Sequence, residues 1–209
     1  MLGRETSAIA RQHGGISGGG LVGNQWRMSR YRSPYLRNTL WEMGYAVDTL
    51  ETAVPWVAVL ETAAAIKAAI QQGLEDIGER VLVMAHLSHV YADGASIYIT
   101  FLFRRSPDPD ETLHRWQVAR TAASQAIVDF GGTISHQHGV GLDHRPYLEA
   151  EKGIIGLKMV EAMRRAADPD GLMNPGKLLP EIDNVKNPSR VEMFQILYLK
   201  IFCYLPSLL

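Results

Sequence analysis

The sequence predicts an α+β fold of the ferredoxin-like type, in which an antiparallel sheet carries helices on one face. Strand-like and helix-like apolar patterns follow one another in the order strand, helix, strand, strand, helix, strand. The two central strands are separated by a short turn sequence, and a glycine pair ends the second helix of this set. A further helix follows near the C-terminus and completes the predicted fold.

The first half of the chain gives clear helix boundaries. A Ser-Pro pair at 33–34 is typical of an N-cap and first helical residue, and Gly44 is expected to end that helix. The extended segment 45–50 is the first predicted strand. Pro55 interrupts the pattern before a second helix, which Gly73 is expected to end.

The second half begins with two predicted strands, 80–90 and 96–103. The residues Ala-Asp-Gly at 92–94 lie between them and favour a hairpin turn. A long amphipathic helix is predicted over 110–130, and a short strand over 133–135 follows it. These segments supply the remaining strands and the second packed helix of the fold.

The chain divides into three predicted regions. Residues 1–32 are expected to be a linker, because the glycine run at 14–20 has neither a preceding strand nor a following Gly-Lys-Ser/Thr phosphate signature. Residues 33–180 form the predicted domain, which ends with a helix over 154–167. The tail 181–209 is apolar toward its end, and a docked helix and a membrane contact both stay open for it.

Composition excludes several classes of protein. With 209 residues, 46% of them hydrophobic, the chain can bury a core, and its formal net charge of −1 gives no sign of nucleic-acid binding. Cys203 is the single cysteine, so an internal disulfide is excluded. The N-terminus lacks the apolar core of a signal peptide. A cytoplasmic location is therefore expected.

The segment 131–141 is the densest candidate for chemistry. It reads Gly-Gly-Thr-Ile-Ser-His-Gln-His-Gly-Val-Gly, so four glycines bracket His136 and His138. Glycines allow a backbone to approach a ligand closely, and histidines can move protons or hold an anion near neutral pH. If the segment is extended, the two histidines point to the same side. An ordinary surface loop with incidental histidines is the alternative.

A second histidine pair, His86 and His89, lies near the end of a predicted strand. Together with the first pair it could form a metal site, since histidines are common zinc ligands. However, no cysteine, aspartate or glutamate lies inside either motif at ligand spacing. We therefore expect no metal, and a hydrogen-bonded, half-buried role for His86.

Three further positions have both a structural and a functional interpretation. Tyr98 is either a sheet aromatic or a proton-handling phenol, and the latter needs a nearby positive charge or flavin. Arg37 is either on a solvated helix face or a clamp for phosphate or carboxylate. The Asn-Pro-Gly-Lys segment 174–177 is either a turn or a backbone segment laid against a ligand ring.

Taken together, these motifs resemble the FAD-linked oxidases of the vanillyl-alcohol oxidase type. Within that family the similarity is to the alkyldihydroxyacetonephosphate synthase branch, over about residues 1–180, and as an ordered set the motifs are specific. The motifs that carry the resemblance are 131–141, 168–177, 35–37, 51–56 and 91–98.

The resemblance implies an FAD-dependent exchange of an acyl for an alkyl chain on dihydroxyacetone phosphate, without net oxidation, as in ether-lipid synthesis. It also implies that the substrate's activated carbon bonds to the flavin. It gives Tyr98 the proton transfer, His136 and His138 a supporting role in catalysis, and Arg37 a contact with substrate phosphate. The positions expected to bind substrate or cofactor are Gln137 for the substrate and Ser135, Gly139, Asn174 and Lys177 for FAD.

Two departures from the family pattern keep alternatives open. Gln137 stands where the synthases have the middle of three histidines, and glutamine cannot titrate. The FAD-binding half of the family is not found in these residues, so we expect it to be supplied in cis or in trans. One alternative is a D-2-hydroxyacid dehydrogenase, whose relatives include metal-dependent members. The other is a non-catalytic remnant. A homodimer also stays open.

Overall fold

The computed structural model of the chain describes residues 2–180 and confirms the α+β class. The predicted tail 181–209 lies outside the described residues. The strands are β1 (Tyr45–Pro55), β2 (Val81–Val90) and β3 (Gly94–Arg104). The helices are α1 (Leu2–Gln12), α2 (Gly19–Ser29), α3 (Leu36–Glu42), α4 (Val59–Glu75), α5 (Pro109–Asp129), α6 (Gly141–His144) and α7 (Leu148–Ala167), with short 3₁₀ turns at Arg30–Tyr35, Trp56–Ala58 and Arg145–Tyr147.

The three strands form one antiparallel sheet in the order β1-β3-β2. The hairpin between β2 and β3 is closed by the backbone bond from Tyr91 to the Gly94 carbonyl at 2.8 Å. Glycine is required at 94, because a Cβ there would lie 2.2 Å from the carbonyl oxygen of Val54 on β1. The predicted turn at 92–94 is thus confirmed, and it also fixes the pairing with β1.

The core lies between one face of the sheet and the helix pair α4 and α5. On β3, Ile97, Ile99, Phe101 and Phe103 alternate toward the helices and are buried. The helix residues that complete this core are Ile66, Ile70 and Leu74 of α4 and Ala119, Ala123 and Ile127 of α5. The opposite face of the sheet has no helix packed on it among residues 2–180. The helices therefore lie on one face, as predicted.

The prediction that Gly73 ends α4 is wrong. The helix continues to Glu75, and Gly78 follows with a left-handed φ of 76°. Gly73 serves packing instead, since a Cβ there would lie 3.3 Å from Val118 of α5. A glycine that permits close approach between helices looks, in the sequence, like one that ends a helix.

The predicted fourth strand, 133–135, is not formed as a strand. Its chain runs beside β1 and makes two backbone bonds, from Thr133 to the Ala53 carbonyl and from His136 to the Glu51 carbonyl, each 3.2 Å. Gln137 then adopts a left-handed φ of 62°, which turns the chain away before a ladder can extend. The segment takes the place of an edge strand without strand geometry.

The remaining elements refine the predicted boundaries. Ser33 lies inside the 3₁₀ turn Arg30–Tyr35, so it is not the N-cap of α3. Gly153 interrupts α7 with a φ of 65°, so the predicted start at 154 is the start of its second, longer part. Among residues 2–180, none of the helices has the length and apolar character needed to span a membrane. The boundaries of the three predicted regions stay predictions.

Candidate active site

The uncovered face of the sheet carries a row of polar and aromatic side chains. Tyr98 on β3 pairs directly with Glu51 on β1 and with His86 on β2. Directly opposite residues in a sheet point to the same face, so these three side chains form a line across it. The rings of His86 and Tyr98 lie 5.1 Å apart between centroids.

Glu51 is the centre of this site. It is only 4% exposed, and three histidines converge on its carboxylate. The Oε1 atom lies 3.2 Å from Nδ1 of His89 and 3.2 Å from Nδ1 of His136, and Oε2 lies 3.3 Å from Nε2 of His138. Ser88 donates a short hydrogen bond to Oε1 as well. His89 and both loop histidines therefore meet at one carboxylate, whereas His86 is exposed beside Tyr98 and not half-buried as expected.

The segment 132–139, termed the histidine loop, is held against β1 by close backbone packing. A Cβ on Gly132 would lie 2.5 Å from Oγ1 of Thr52, so only glycine fits there without movement. Ser135 donates a short hydrogen bond to the Gly139 carbonyl, which closes the loop on itself. As a result His136 and His138 reach the same carboxylate from the edge of the sheet.

The charge of Glu51 follows from its surroundings. Burial opposes ionisation, but hydrogen bonds from Ser88, Ser96 and His89, together with the charge of His136, outweigh it and hold the pKa of Glu51 below its usual value. Glu51 is therefore an anion at neutral pH. A buried anion stabilises neighbouring imidazoles that present an N–H group or a positive charge toward it.

Tyr98 lies on β3, and its ring packs against the histidine loop. Its hydroxyl donates to Oγ1 of Thr49 at 3.1 Å, and its ring contacts that of His138 edge-on, with centroids 5.8 Å apart. Tyr91 contacts the other loop histidine through a hydrogen bond, with its hydroxyl 2.8 Å from Nε2 of His136. The structure thus brings Tyr98, His136 and His138 together around Glu51, with the Tyr98 hydroxyl bonded to Thr49 and its ring packed against His138.

The other predicted substrate-binding residues lie elsewhere or point outward. Arg37, on α3, lines a cavity of about 610 Å³ beside the start of β1, together with Trp41, Asp48 and Arg105. This cavity includes Ala46 and Phe103 of the helix-covered face of the sheet, whereas Glu51 lies on the opposite face, so Arg37 is not part of the Glu51 cluster. Gln137 is exposed at the turn of the histidine loop.

Two of the predicted cofactor-binding residues share a second cavity. Asn174 and Lys177 line a space of about 690 Å³ with Val140 and Gly141, which directly follow the histidine loop. Asn174 has a left-handed φ of 47°, and Arg145 donates a short hydrogen bond to the Gly176 carbonyl. The Asn-Pro-Gly-Lys segment is therefore fixed beside the end of the loop. Asn174 and Lys177 are among the polar residues that this cavity offers to a ligand.

Glu51 is the candidate site residue that sequence reasoning missed. It lies in the motif 51–56 and is an acidic residue in a largely buried strand, a signal that could have identified it. The argument against a metal assumed that no carboxylate accompanies the histidines. In the folded chain a carboxylate does accompany the histidines, because β1 places Glu51 in contact with His89, His136 and His138.

Comparison with known proteins identifies the family. The family model described as FAD linked oxidases, C-terminal domain, matches residues 5–178. The chain belongs to this family. Alkyldihydroxyacetonephosphate synthase of Trypanosoma brucei brucei is 28% identical over 158 residues, which are 76% of this chain and 25% of that protein. The synthase of Dictyostelium discoideum is 28% identical over 185 residues, 88% of this chain and 30% of that protein.

Other relatives in the family are dehydrogenases. D-2-hydroxyglutarate dehydrogenase of Stutzerimonas stutzeri is 29% identical over 83 residues, 40% of this chain and 18% of that protein. A solved alkyldihydroxyacetonephosphate synthase structure matches with a TM-score of 0.52 at 22% identity, covering 78% of this chain and 26% of that one, which shows a shared fold. The chain spans about a quarter to three tenths of the length of its synthase relatives. The homologues are FAD-dependent enzymes, and FAD is the cofactor of the family.

Proposed function

We propose that this chain is the substrate-side part of an FAD-dependent enzyme that exchanges the acyl chain of an acyl-dihydroxyacetone phosphate for an alkyl chain. The observation that carries the proposal is the cluster of Tyr98, His136 and His138 around the Glu51 carboxylate. The synthase relatives align with most of this chain, which supports the same activity.

The reaction needs proton transfers and no net oxidation. The bond between the substrate carbon and the acyl oxygen breaks, the fatty acid leaves, and the oxygen of a fatty alcohol bonds to the same carbon while its proton is released. Tyr98 holds or moves a proton at its hydroxyl. His138 packs edge-on against the Tyr98 ring and helps to position it. Glu51 keeps both loop histidines oriented and offsets positive charge on them.

The cofactor supplies the electrophilic ring chemistry when bound. In this chain, the residues proposed to contact it are Ser135 and Gly139 of the histidine loop and Asn174 and Lys177 of the adjacent cavity. We propose that most of the FAD is held by an FAD-binding half, in cis or in trans. We still propose that Arg37 contacts the substrate phosphate. This contact requires a substrate long enough to reach the cavity that Arg37 lines.

The test is reconstitution of the exchange reaction. The FAD-binding half of a synthase relative is supplied as a separate chain, and incorporation of a labelled fatty alcohol into acyl-dihydroxyacetone phosphate is measured. We expect exchange with the native sequence and a loss of about a hundredfold or more for Tyr98→Phe. Tyr45→Phe, at the far end of β1, is the matched control. Full exchange with Tyr98→Phe would remove Tyr98 from the mechanism.

A second candidate is the oxidation of a D-2-hydroxyacid. It is supported by the similarity to D-2-hydroxyglutarate dehydrogenase, which extends over a shorter part of the chain. The same reconstituted protein is assayed with D-2-hydroxyglutarate and a dye as electron acceptor. Dye reduction without alkyl exchange would favour this candidate. Absence of both activities from a correctly folded, flavin-containing complex would favour a non-catalytic remnant.

A further inference from the structure

The outer edge of β1 is completed by a side chain as well as by the histidine loop. In the described part of the chain β1 is an edge strand, and alternate carbonyls along a strand point to the same edge. The histidine loop donates backbone bonds to the carbonyls of Ala53 and Glu51. The next carbonyl of this series, that of Thr49, accepts from Nη1 of Arg120 on α5 at 3.0 Å. A guanidinium therefore supplies the strand donor that is missing where the loop leaves the edge.

Thr49 is also the partner of Tyr98. The Tyr98 hydroxyl donates to Oγ1 of Thr49 at 3.1 Å, so Thr49 uses its side chain for the phenol and its carbonyl for Arg120. Side chains two residues apart on a strand point to the same face, which places Thr49 beside Glu51 on the uncovered side of the sheet. Arg120 thus restrains the piece of backbone that carries the partner of the Tyr98 hydroxyl.

The other end of the Arg120 guanidinium reaches the exit of the histidine loop. Its Nη2 lies 3.1 Å from Nε2 of His144, and Nδ1 of His144 lies 2.7 Å from the Val140 carbonyl. A carbonyl only accepts and a guanidinium only donates, so Nδ1 carries the proton and Nε2 accepts. Arg120 and His144 are buried, at 9% and 8% exposed. Through His144, Arg120 is connected to the residue that directly follows the loop.

The exit of the loop has few other attachments to the sheet. Gly139 and Gly141, on either side of Val140, have left-handed φ angles of 74° and 62°, which glycine adopts without steric cost. Within residues 2–180, no backbone hydrogen bond joins residues 137–140 to the sheet. Besides the packing of the Val140 side chain against the core, the bonds through His144 and Arg120 hold this point in place.

Charge pairing alone does not explain why an arginine is buried here. The carboxylates of Asp48 and Asp143 lie 3.8 and 3.7 Å from its terminal nitrogens, beyond hydrogen-bond distance, and its Nε is buried without a protein partner. Ion pairs at such distances gain little against the desolvation of a buried guanidinium. The property that arginine alone supplies is a planar pair of donors that reaches Thr49 and His144 together.

We propose that Arg120 is a positioning residue of the candidate active site. Its guanidinium takes the place of a strand donor at Thr49, the partner of Tyr98, and through His144 it fixes the point at which the histidine loop leaves the sheet. Its effect on turnover rests on the proposed exchange function. Its effect on the loop depends on this chain alone.

Nuclear magnetic resonance of the purified chain tests the effect on the loop. Arg120→Met keeps an apolar side chain of similar length but removes both donors. The amides of His136 and Arg145 are hydrogen-bonded on either side of the loop exit, and we expect their exchange with solvent to quicken about tenfold or more. The imidazole signals of the loop histidines should shift as well. Arg115→Met, which breaks other ion pairs of α5, is the matched control for loss of stability alone.

A milder variant guards against misfolding, which circular dichroism detects. Arg120→Lys keeps the charge but cannot span both acceptors, so it should change amide exchange and the histidine signals in the same direction and by less. It carries the test if Arg120→Met does not fold. Native-like exchange and signals in the folded Arg120 variants, or equal changes in Arg115→Met, overturn the positioning role.

The reconstituted exchange assay tests the effect on turnover. Arg120→Met should lower kcat about tenfold or more and leave KM for the fatty alcohol unchanged, because it displaces Tyr98 and the loop without removing a substrate contact. A kcat equal to that of the native chain overturns the role in turnover. If the native complex shows no exchange, the proposed function fails, and the amide exchange of the chain alone still decides whether Arg120 positions the loop.

Discussion

Glu51 is a buried carboxylate on a sheet face that otherwise lacks a packed layer, and its partners explain why it is stable there. A charged group leaves water at low cost only when its oxygens are paired, and Ser88 and three histidines meet those of Glu51. Its partners come from strands β2 and β3 and from the histidine loop. A single side chain therefore joins the sheet to the loop.

Substituting Glu51→Gln tests this joining role. Glutamine keeps the volume but loses the charge, so we expect the free energy of unfolding to fall by about 1–3 kcal/mol. Amide exchange in the histidine loop should quicken as well. Chemical denaturation and hydrogen exchange measure the two effects, with the exposed Glu149→Gln as control. Unchanged exchange at residues 133–139 would show that the loop is held by its backbone alone.

Glu79 gives a prediction about pH. Burial opposes its ionisation, but Arg104, Arg115 and the Arg80 backbone amide outweigh burial and lower the pKa of Glu79. A carboxyl group whose pKa is lower in the folded chain than in the unfolded chain stabilises the fold when it is ionised. This stability is present above the pKa of the unfolded chain, about 4.3, and is lost as pH falls through the lower pKa of the folded chain. Glu79→Gln should therefore cost about 1–3 kcal/mol at neutral pH.

The difference between native and Glu79→Gln chains should shrink as pH falls below about 4.3. Unfolding free energies measured across the acid range check this. A difference that stays constant down to the lowest pH at which the chain folds would contradict the assigned ion pairs.

At the level of elements, the sequence predicted the three strands and the two core helices because their patterns are local, but it did not predict α1 and α2 within the expected linker 1–32. β2, β3, α5 and the second part of α7 each begin and end within a few residues of the expected positions. The site was harder to predict. Glu51 is separated by 37 residues from Ser88 and 38 from His89 in the sequence, and only the pairing of both β1 and β2 with β3 brings them together.

The β2–β3 hairpin offers a test at this scale. Gly94→Ala would place a Cβ 2.2 Å from the Val54 carbonyl oxygen, so β1 and the hairpin must separate. We expect a loss of about 1–3 kcal/mol in unfolding free energy, as for overpacked interiors. Gly23→Ala in α2, where a Cβ would meet nothing within 4 Å, is the control and should stabilise slightly. Equal effects of the two substitutions would refute the close approach.

For the whole molecule, the uncovered sheet face is the main feature that needs a partner. Beyond the row of Glu51, Tyr98 and His86, this face continues into the exposed apolar side chains Leu82 and Met84 of β2. Contiguous exposed apolar side chains commonly mark a surface that another part of a protein or a ligand covers. The chain spans only about a quarter to three tenths of the length of its synthase relatives. We propose that an FAD-binding half, in cis or in trans, covers this face.

The visible absorbance spectrum of the purified chain tests the central claim most directly. The account predicts no flavin band for the chain alone, even after incubation with FAD, because its proposed FAD contacts are one side of a shared site. Adding the FAD-binding half of a relative should then perturb the spectrum of the flavin that this half carries. A stoichiometric flavin band in the isolated chain would contradict the account, since this domain would then bind FAD without a partner.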